Sequence, residues 1–177
     1  MSVHEHEDQA RLNRGETPLQ AAVVTVSDTR TADTDQGGDL VRDLLETAGH
    51  GVAMRSLVPD DAEQISHAIN AALADSRVEV ILLTGGTGIS RRDGTVEVLR
   101  NMGTIEIEGF GELFRAISHR EIGAASMLSR ATAVLLTTSD DRRIPAFAMP
   151  GSVHAVQTAM EELIIPILPH AAWEAMR

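Results

Sequence analysis

The sequence predicts an α/β sandwich built on a mostly parallel sheet. Three observations carry this. Short runs rich in Val, Ile and Leu recur along the chain. Amphipathic stretches with helical spacing separate them. The central run, residues 78–83, breaks into Thr84-Gly85-Gly86-Thr87-Gly88. A short continuous apolar run is the pattern of a strand buried on both faces, and strands alternating with helical stretches build parallel sheets.

The elements follow in order. Residues 20–26 read as the first strand, followed by Ser27-Asp28-Thr29-Arg30. Asp39 is expected to cap a helix over 40–48, with Leu40, Leu44 and Leu45 on one face and Gly49 ending it. Residues 52–58 form the second strand, closed by Pro59-Asp60-Asp61. Asp61 heads a helix over 62–74, in which Ile65, Ile69 and Leu73 make a stripe at four-residue spacing. A short helix is expected over 96–101 after the glycine loop. Residues 105–108 alternate with period 2, as an edge strand does. Gly109-Phe110-Gly111 reads as punctuation, and 112–122 as a helix with Leu113, Ile117 and Ile122 inward. Residues 131–138 and 144–149 make a hairpin around a polar turn. Pro150-Gly151-Ser152 then opens a helix over 153–168, which Pro166 and Pro169 kink or break, leaving 170–177 as a tail. Residues 1–18 read as a flexible tail, despite the alternation His4-Glu5-His6-Glu7-Asp8; residues 19–177 read as a single domain.

Composition narrows the function classes. The 177 residues are 43% hydrophobic, 23% charged and carry a net charge of −11. That acidity argues against nonspecific nucleic-acid binding and against an anionic membrane surface. No apolar run approaches the roughly 20 residues of a membrane span, and no signal-peptide order appears, so the expected compartment is the cytoplasm. The absence of cysteine excludes disulfides, thiolate catalysis and Cys-ligated zinc. Lysine is also absent. An anion must therefore be gripped by arginine, backbone amides or a metal.

In parallel sheets, ligands sit outside the carboxyl ends of the strands. Here those ends carry Ser27 and Asp28, then Asp60, then the loop Gly85, Gly86, Thr87 and Gly88 with Asp93, then Pro150, Gly151 and Ser152. Two carboxylates on successive strand ends suit Mg²⁺, which prefers oxygen and bridges to substrate phosphates. Loop amides and the helix start at Ser152 can hold phosphate oxygens. Arg91, Arg92 or Arg130 can neutralise charge on a transferring phosphate. These parts describe nucleotide-dependent phosphoryl or nucleotidyl transfer. Plainer readings stand beside each: a merely structural glycine loop, Asp60 or Asp61 as a helix cap, Asp93 as the cap of the next helix, Arg91 and Arg92 as a solvated pair, Ser152 as an N-cap.

The chain resembles the MoaB/MogA family of molybdenum-cofactor biosynthesis proteins, closer to the MoaB branch. The resemblance runs over about 21–166 and rests on seven pieces in order: Val-Ser-Asp-Thr-Arg at 26–30, Val-Pro-Asp-Asp at 58–61, Leu-Thr-Gly-Gly-Thr-Gly at 83–88, Arg-Arg-Asp at 91–93, Gly-Phe-Gly-Glu-Leu-Phe-Arg at 109–115, Leu-Ser-Arg-Ala at 128–131 and Met-Pro-Gly-Ser at 149–152. It implies a three-layer α/β/α sandwich of the molybdopterin-binding type, with a C-terminal hairpin and helix, assembled as a trimer or hexamer. It implies Mg²⁺- and ATP-dependent adenylylation of molybdopterin, with Asp60 and Asp93 serving metal and transfer geometry. Ser27, Asp28, the glycine loop, Arg92, Ser129, Arg130 and Pro150 to Ser152 would line the pocket. A non-catalytic molybdopterin carrier or scaffold is the alternative. The sequence departs from many relatives at Gly94 and Val96, where Asp-Val-Thr-Pro is common, and at Gly37, where serine is common; Gly94 is expected to loosen the segment that aims Asp93. The retained Arg91-Arg92-Asp93 favours an active enzyme.

Overall fold

A computed structural model of the chain describes residues 17–177; the expectation for His4 to Asp8 lies outside the described residues. One six-stranded sheet runs in the order β2-β1-β3-β6-β5-β4. Its strands are β1 (Gln20–Val26), β2 (Gly51–Val58), β3 (Val80–Thr84), β4 (Ile105–Glu106), β5 (Thr132–Thr137) and β6 (Arg143–Met149). The pairs β1/β2, β1/β3 and β3/β6 are parallel, whereas β5 pairs antiparallel with both β6 and β4.

Strand alternation divides the core between two faces. Ala21, Val23, Val80, Leu82, Phe147 and Met149 point to one side, and Ala22, Val24, Val26, Ile81, Leu83 and Ala148 to the other. The first face is covered by α1 (Gln36–Thr47), α4 (Glu108–Ile122) and the C-terminal helical run. The second is covered by α2 (Ala62–Ala74) and α3 (Thr95–Met102). This is the expected three-layer sandwich. Each fully buried Leu, Ile or Val on these faces contributes about 1.5–3 kcal/mol by leaving water. Among the described residues, no helix is long and apolar enough to cross a membrane.

Helix α2 and its Asp61 cap match expectation: the Asp61 carboxylate accepts from Gln64 N–H at 3.1 Å. Three expectations do not hold. Helix α1 begins at Gln36 and is capped by Asp35, not Asp39, because the Asp35 carboxylate accepts from Gly38 N–H at 3.0 Å. Helix α4 begins at Glu108 and runs through Gly109-Phe110-Gly111. It buries Phe110 and Phe114, and leaves Leu113 and Ile122 exposed. The C-terminal prolines do not end the helix. A π-helical stretch, Met160–Ile164, joins α5 (Val153–Ala159) to α6 (Ile165–Ala175). Pro166 lies in the first turn of α6 and Pro169 inside it.

Candidate active site

The carboxyl ends of β1, β3 and β6 open into a cleft of about 480 Å³. Its floor is the loop after β3. Gly85 adopts φ +103° and Gly86 φ +63°, and a Cβ on Gly85 would stand 2.1 Å from the Val26 carbonyl oxygen. Only glycine turns there. Gly85 N–H donates to the Met149 carbonyl at 3.0 Å, and the buried Thr95 hydroxyl donates to the Gly85 carbonyl at 3.0 Å. The next three amides, of Gly86, Thr87 and Gly88, have no acceptor among the described residues. Consecutive free amides in a tight turn form an anion-binding concavity. Ser27, Pro150, Gly151 and Ser152 line the opposite wall, where Ser152 caps α5 by accepting from Ala155 N–H.

Both aspartates stand against this loop. A Cβ on Gly86 would lie 2.8 Å from Asp60 Oδ2, and one on Gly88 would lie 2.7 Å from Asp93 Oδ2. Neither carboxylate caps a helix. Asp60 accepts from Gly94 N–H at 3.0 Å, and Asp93 accepts from Ser90 N–H at 2.7 Å. The N–H of Gly94, the residue after Asp93, is the donor that links the two aspartates. Asp28 completes the acidic corner: its Oδ1 accepts from Asp60 N–H at 3.1 Å, and its Oδ2 meets Arg92 at 3.0 Å. Burial pushes the Asp60 carboxyl above its usual range. The Gly94 bond opposes this, the charges of Asp93 and Asp28 add to it, and Arg92 opposes.

Among the described residues, no group of three or more His, Asp or Glu side chains could hold a metal. Mg²⁺ needs only one or two protein carboxylates when phosphates and water supply the remaining oxygens. Asp60 and Asp93, both against the glycine loop, would meet that demand.

Arg30 was not singled out from the sequence, yet its guanidinium lines the cleft. It donates to the Gly151 carbonyl at 2.6 Å and lies 3.8 Å from the buried Asp35. Asp35 in turn accepts from Thr25 Oγ1 at 2.7 Å and from Arg55 at 3.2 Å. Arg30 follows Ser27 and Asp28 on the same strand end and closes the family-like piece at 26–30, and those were its sequence signals. Two expected residues point elsewhere. Ser129 Oγ accepts from Ala131 N–H at 3.4 Å. Arg130 directs its guanidinium to the carbonyls of Gly88 and Asp93 and to Glu97. A larger concavity, about 710 Å³, lies at the other end of the sheet, beside the β5–β6 turn. Its arginines alternate with Glu79, Asp140 and Asp141, and it has no run of free amides, so we place the chemistry in the smaller cleft.

Fold and cleft together define a class: an α/β protein with a backbone anion cradle flanked by two carboxylates at the ends of parallel strands. Residues 22–170 match the family described as "Probable molybdopterin binding domain". The chain is 44% identical to Molybdenum cofactor biosynthesis protein B of Bacillus cereus over 178 residues, covering 100% of this chain and 99% of the relative. It is 41% identical to the protein of that name from Bacillus subtilis, covering 98% and 97%. A crystal structure of a Molybdenum cofactor biosynthesis protein B superposes with a TM-score of 0.84 at 44% identity, covering 91% of this chain and 98% of the other. The tungsten cofactor synthesizing protein MoaB from Pyrococcus furiosus does so with 0.81 at 34%, covering 91% and 99%. The chain belongs to the MoaB-type family of molybdenum cofactor biosynthesis proteins.

Proposed function

We propose that this protein transfers an adenylyl group from ATP to molybdopterin, giving adenylyl-molybdopterin and pyrophosphate. The observation that carries the reading is the pair of carboxylates, Asp60 and Asp93, set against three unpaired loop amides. A phosphate oxygen of molybdopterin attacks the α-phosphorus of ATP. The new P–O bond forms as the bond to the pyrophosphate bridging oxygen breaks, and that oxygen keeps the electron pair. The Gly86–Gly88 amides hold phosphate oxygens, and Arg30 offers positive charge across the cleft. Asp60 and Asp93 would hold the nucleotide's cation. Bound Mg²⁺ supplies neutralisation of phosphate charge. No protein nucleophile is required, so catalysis rests on positioning and electrostatics.

A second reading is a carrier that holds molybdopterin without chemistry, since the unpaired Gly86–Gly88 amides would grip a phosphate in either case. One assay separates the two. Purified protein with Mg·ATP and molybdopterin is expected to yield adenylyl-molybdopterin, and Asp93→Asn to abolish turnover while pterin binding persists. Stoichiometric pterin binding with no nucleotide product would establish the carrier. We also propose assembly into a homo-oligomer, trimer or hexamer, supported by the exposed apolar side chains of α4 and the turn after it.

A further inference from the structure

Arg130 sits just before β5, far in sequence from the glycine loop, yet it holds that loop and its extension at three points and α3 at a fourth. Its backbone N–H donates to the Thr87 carbonyl at 3.0 Å. Its Nε donates to the Gly88 carbonyl at 2.6 Å, and its Nη2 to the Asp93 carbonyl at 2.8 Å. Its Nη1 pairs with Glu97 on α3. Gly88 and Asp93 are the two ends of the excursion that carries Ile89, Ser90, Arg91 and Arg92. Within it, Asp93 N–H donates to the Ser90 carbonyl at 3.1 Å, and Ser90 N–H returns a bond to the Asp93 carboxylate. The guanidinium therefore closes the neck of a small loop that is already tied internally.

We infer that Arg130 is a positioning residue that locks the aspartate-bearing loop onto the anion cradle, and not a phosphate ligand. Its contacts favour the first role: each nitrogen of the guanidinium already serves the loop or α3, and Arg130 lines a neighbouring concavity with Asp93 and Glu97, not the cleft that holds the free amides. The part suits arginine alone. A planar fork serves two carbonyls and a carboxylate in fixed directions, whereas an ammonium is a point charge without that geometry. Glu97 is a matching partner: burial would raise its pKa, but the Arg130 bond, its own backbone N–H and the nearby arginine charges outweigh that and lower it. The pair therefore stays ionised, and the clamp stays closed, across the neutral range. The consequence is geometric. Asp93 Oδ2 lies 2.7 Å from where a Cβ of Gly88 would be, so releasing the neck frees the carboxylate from the cradle it serves.

This inference rests on the adenylyl-transfer reading for its kinetic arm only. Arg130→Lys and Arg130→Gln are expected to lower kcat about a hundredfold, the cost of misplacing a catalytic group by about 1 Å, while KM for ATP and molybdopterin changes little. Arg30→Gln, which alters a group facing the cleft, should show the reverse split. Hydrogen–deuterium exchange of the full-length protein without ligands should quicken over residues 88–95 in both Arg130 variants and stay unchanged in Arg30→Gln, whose contacts are to Gly151 and Asp35. Glu97→Gln, which leaves the two carbonyl contacts, should give a smaller effect of the same kind. A rise in KM with kcat preserved would make Arg130 an anion ligand and overturn the inference. Unchanged exchange over 88–95 would overturn it as well. If the wild-type protein forms no adenylyl product, the functional reading fails, and the exchange comparison still decides whether the clamp exists.

Discussion

At the scale of single residues, Asp60 shows a site held against its own stability. Burial first, then the charges of Asp93 and Asp28, raise its folded pKa above the ordinary 3.8. A carboxyl with a raised folded pKa binds its proton more tightly in the native state. Its contribution to stability is therefore full below pH 3.8 and is lost as the pH rises through the folded value. At pH 7 the ionised Asp60 is destabilising. Asp60→Asn keeps an acceptor for Gly94 N–H and removes the repelling charge. We expect its Tm to rise by roughly 1–2 °C at pH 7, with the gain vanishing below pH 3.8, and its turnover to be lost. A lowered Tm at pH 7 would mean that the charge on the Gly94 acceptor matters more than the repulsion. Asp60 and Asp93 were legible in the sequence because each ends a strand or the loop beyond one, where parallel sheets keep their chemistry. Arg130 was legible as a basic residue in the family-like piece at 128–131, expected at a phosphate, but not as a clamp on the loop. Its acceptors are mostly backbone carbonyls some forty positions away, which no local pattern encodes.

At the scale of elements, local signals were read correctly for α2 but not for α1, whose cap lies at Asp35 and not Asp39. Asp61 and the Ile65/Ile69 stripe gave α2 its limits. Glycine misled where it serves packing and not termination. Gly38 lies inside α1 because a Cβ there would meet Asp35 Oδ2 at 2.2 Å and Thr25 Oγ1 at 2.6 Å. Gly111 lies inside α4 because a Cβ would meet the Ala131 carbonyl at 2.4 Å. Both helices approach neighbouring chain more closely than a side chain permits, and sequence alone cannot tell a close approach from a stop. The same distinction separates two positions within the glycine loop. Gly85→Ala adds a Cβ 2.1 Å from a fixed backbone oxygen at positive φ, and is expected to cost about 2–3 kcal/mol in urea unfolding. Gly88 has no positive φ, and the close contact of its added Cβ is with the carboxylate of Asp93, a side chain and not backbone. Gly88→Ala should unfold within about 1 kcal/mol of wild type, yet lose roughly tenfold or more in kcat as Asp93 is displaced. Equal losses of stability in the two variants would show that the loop tolerates no side chain anywhere, and that Asp93 is not set by Gly88.

At the scale of the whole molecule, the sheet's two apolar faces were written in the alternation of β1 and β3, and the layers follow from it. The outer surface was harder to read. Leu113 and Ile122 were expected inward on α4, but Phe110 and Phe114 take the core, because burying a phenyl ring removes more apolar area from water. Leu113 is left 57% exposed and Ile122 54%; Met127 and Leu128, on the 3-10 turn that follows, are 75% and 54% exposed. Four large apolar side chains in open water across one helix and its adjoining turn mark a surface that gains by being covered. A second copy of the chain is the occupant we expect, and the net charge of −11 makes the test sharp. Like-charged copies repel, so an assembly that forms nonetheless is held by apolar contact and tightens as salt screens the repulsion. Light scattering should give a trimer or hexamer at micromolar concentration, with dissociation reduced at higher ionic strength. Leu113→Glu combined with Met127→Glu should yield a folded monomer with an unchanged far-ultraviolet circular dichroism spectrum, since neither side chain is buried in the single chain. A wild-type monomer under these conditions, or a double variant that assembles like wild type, would move the interface away from α4.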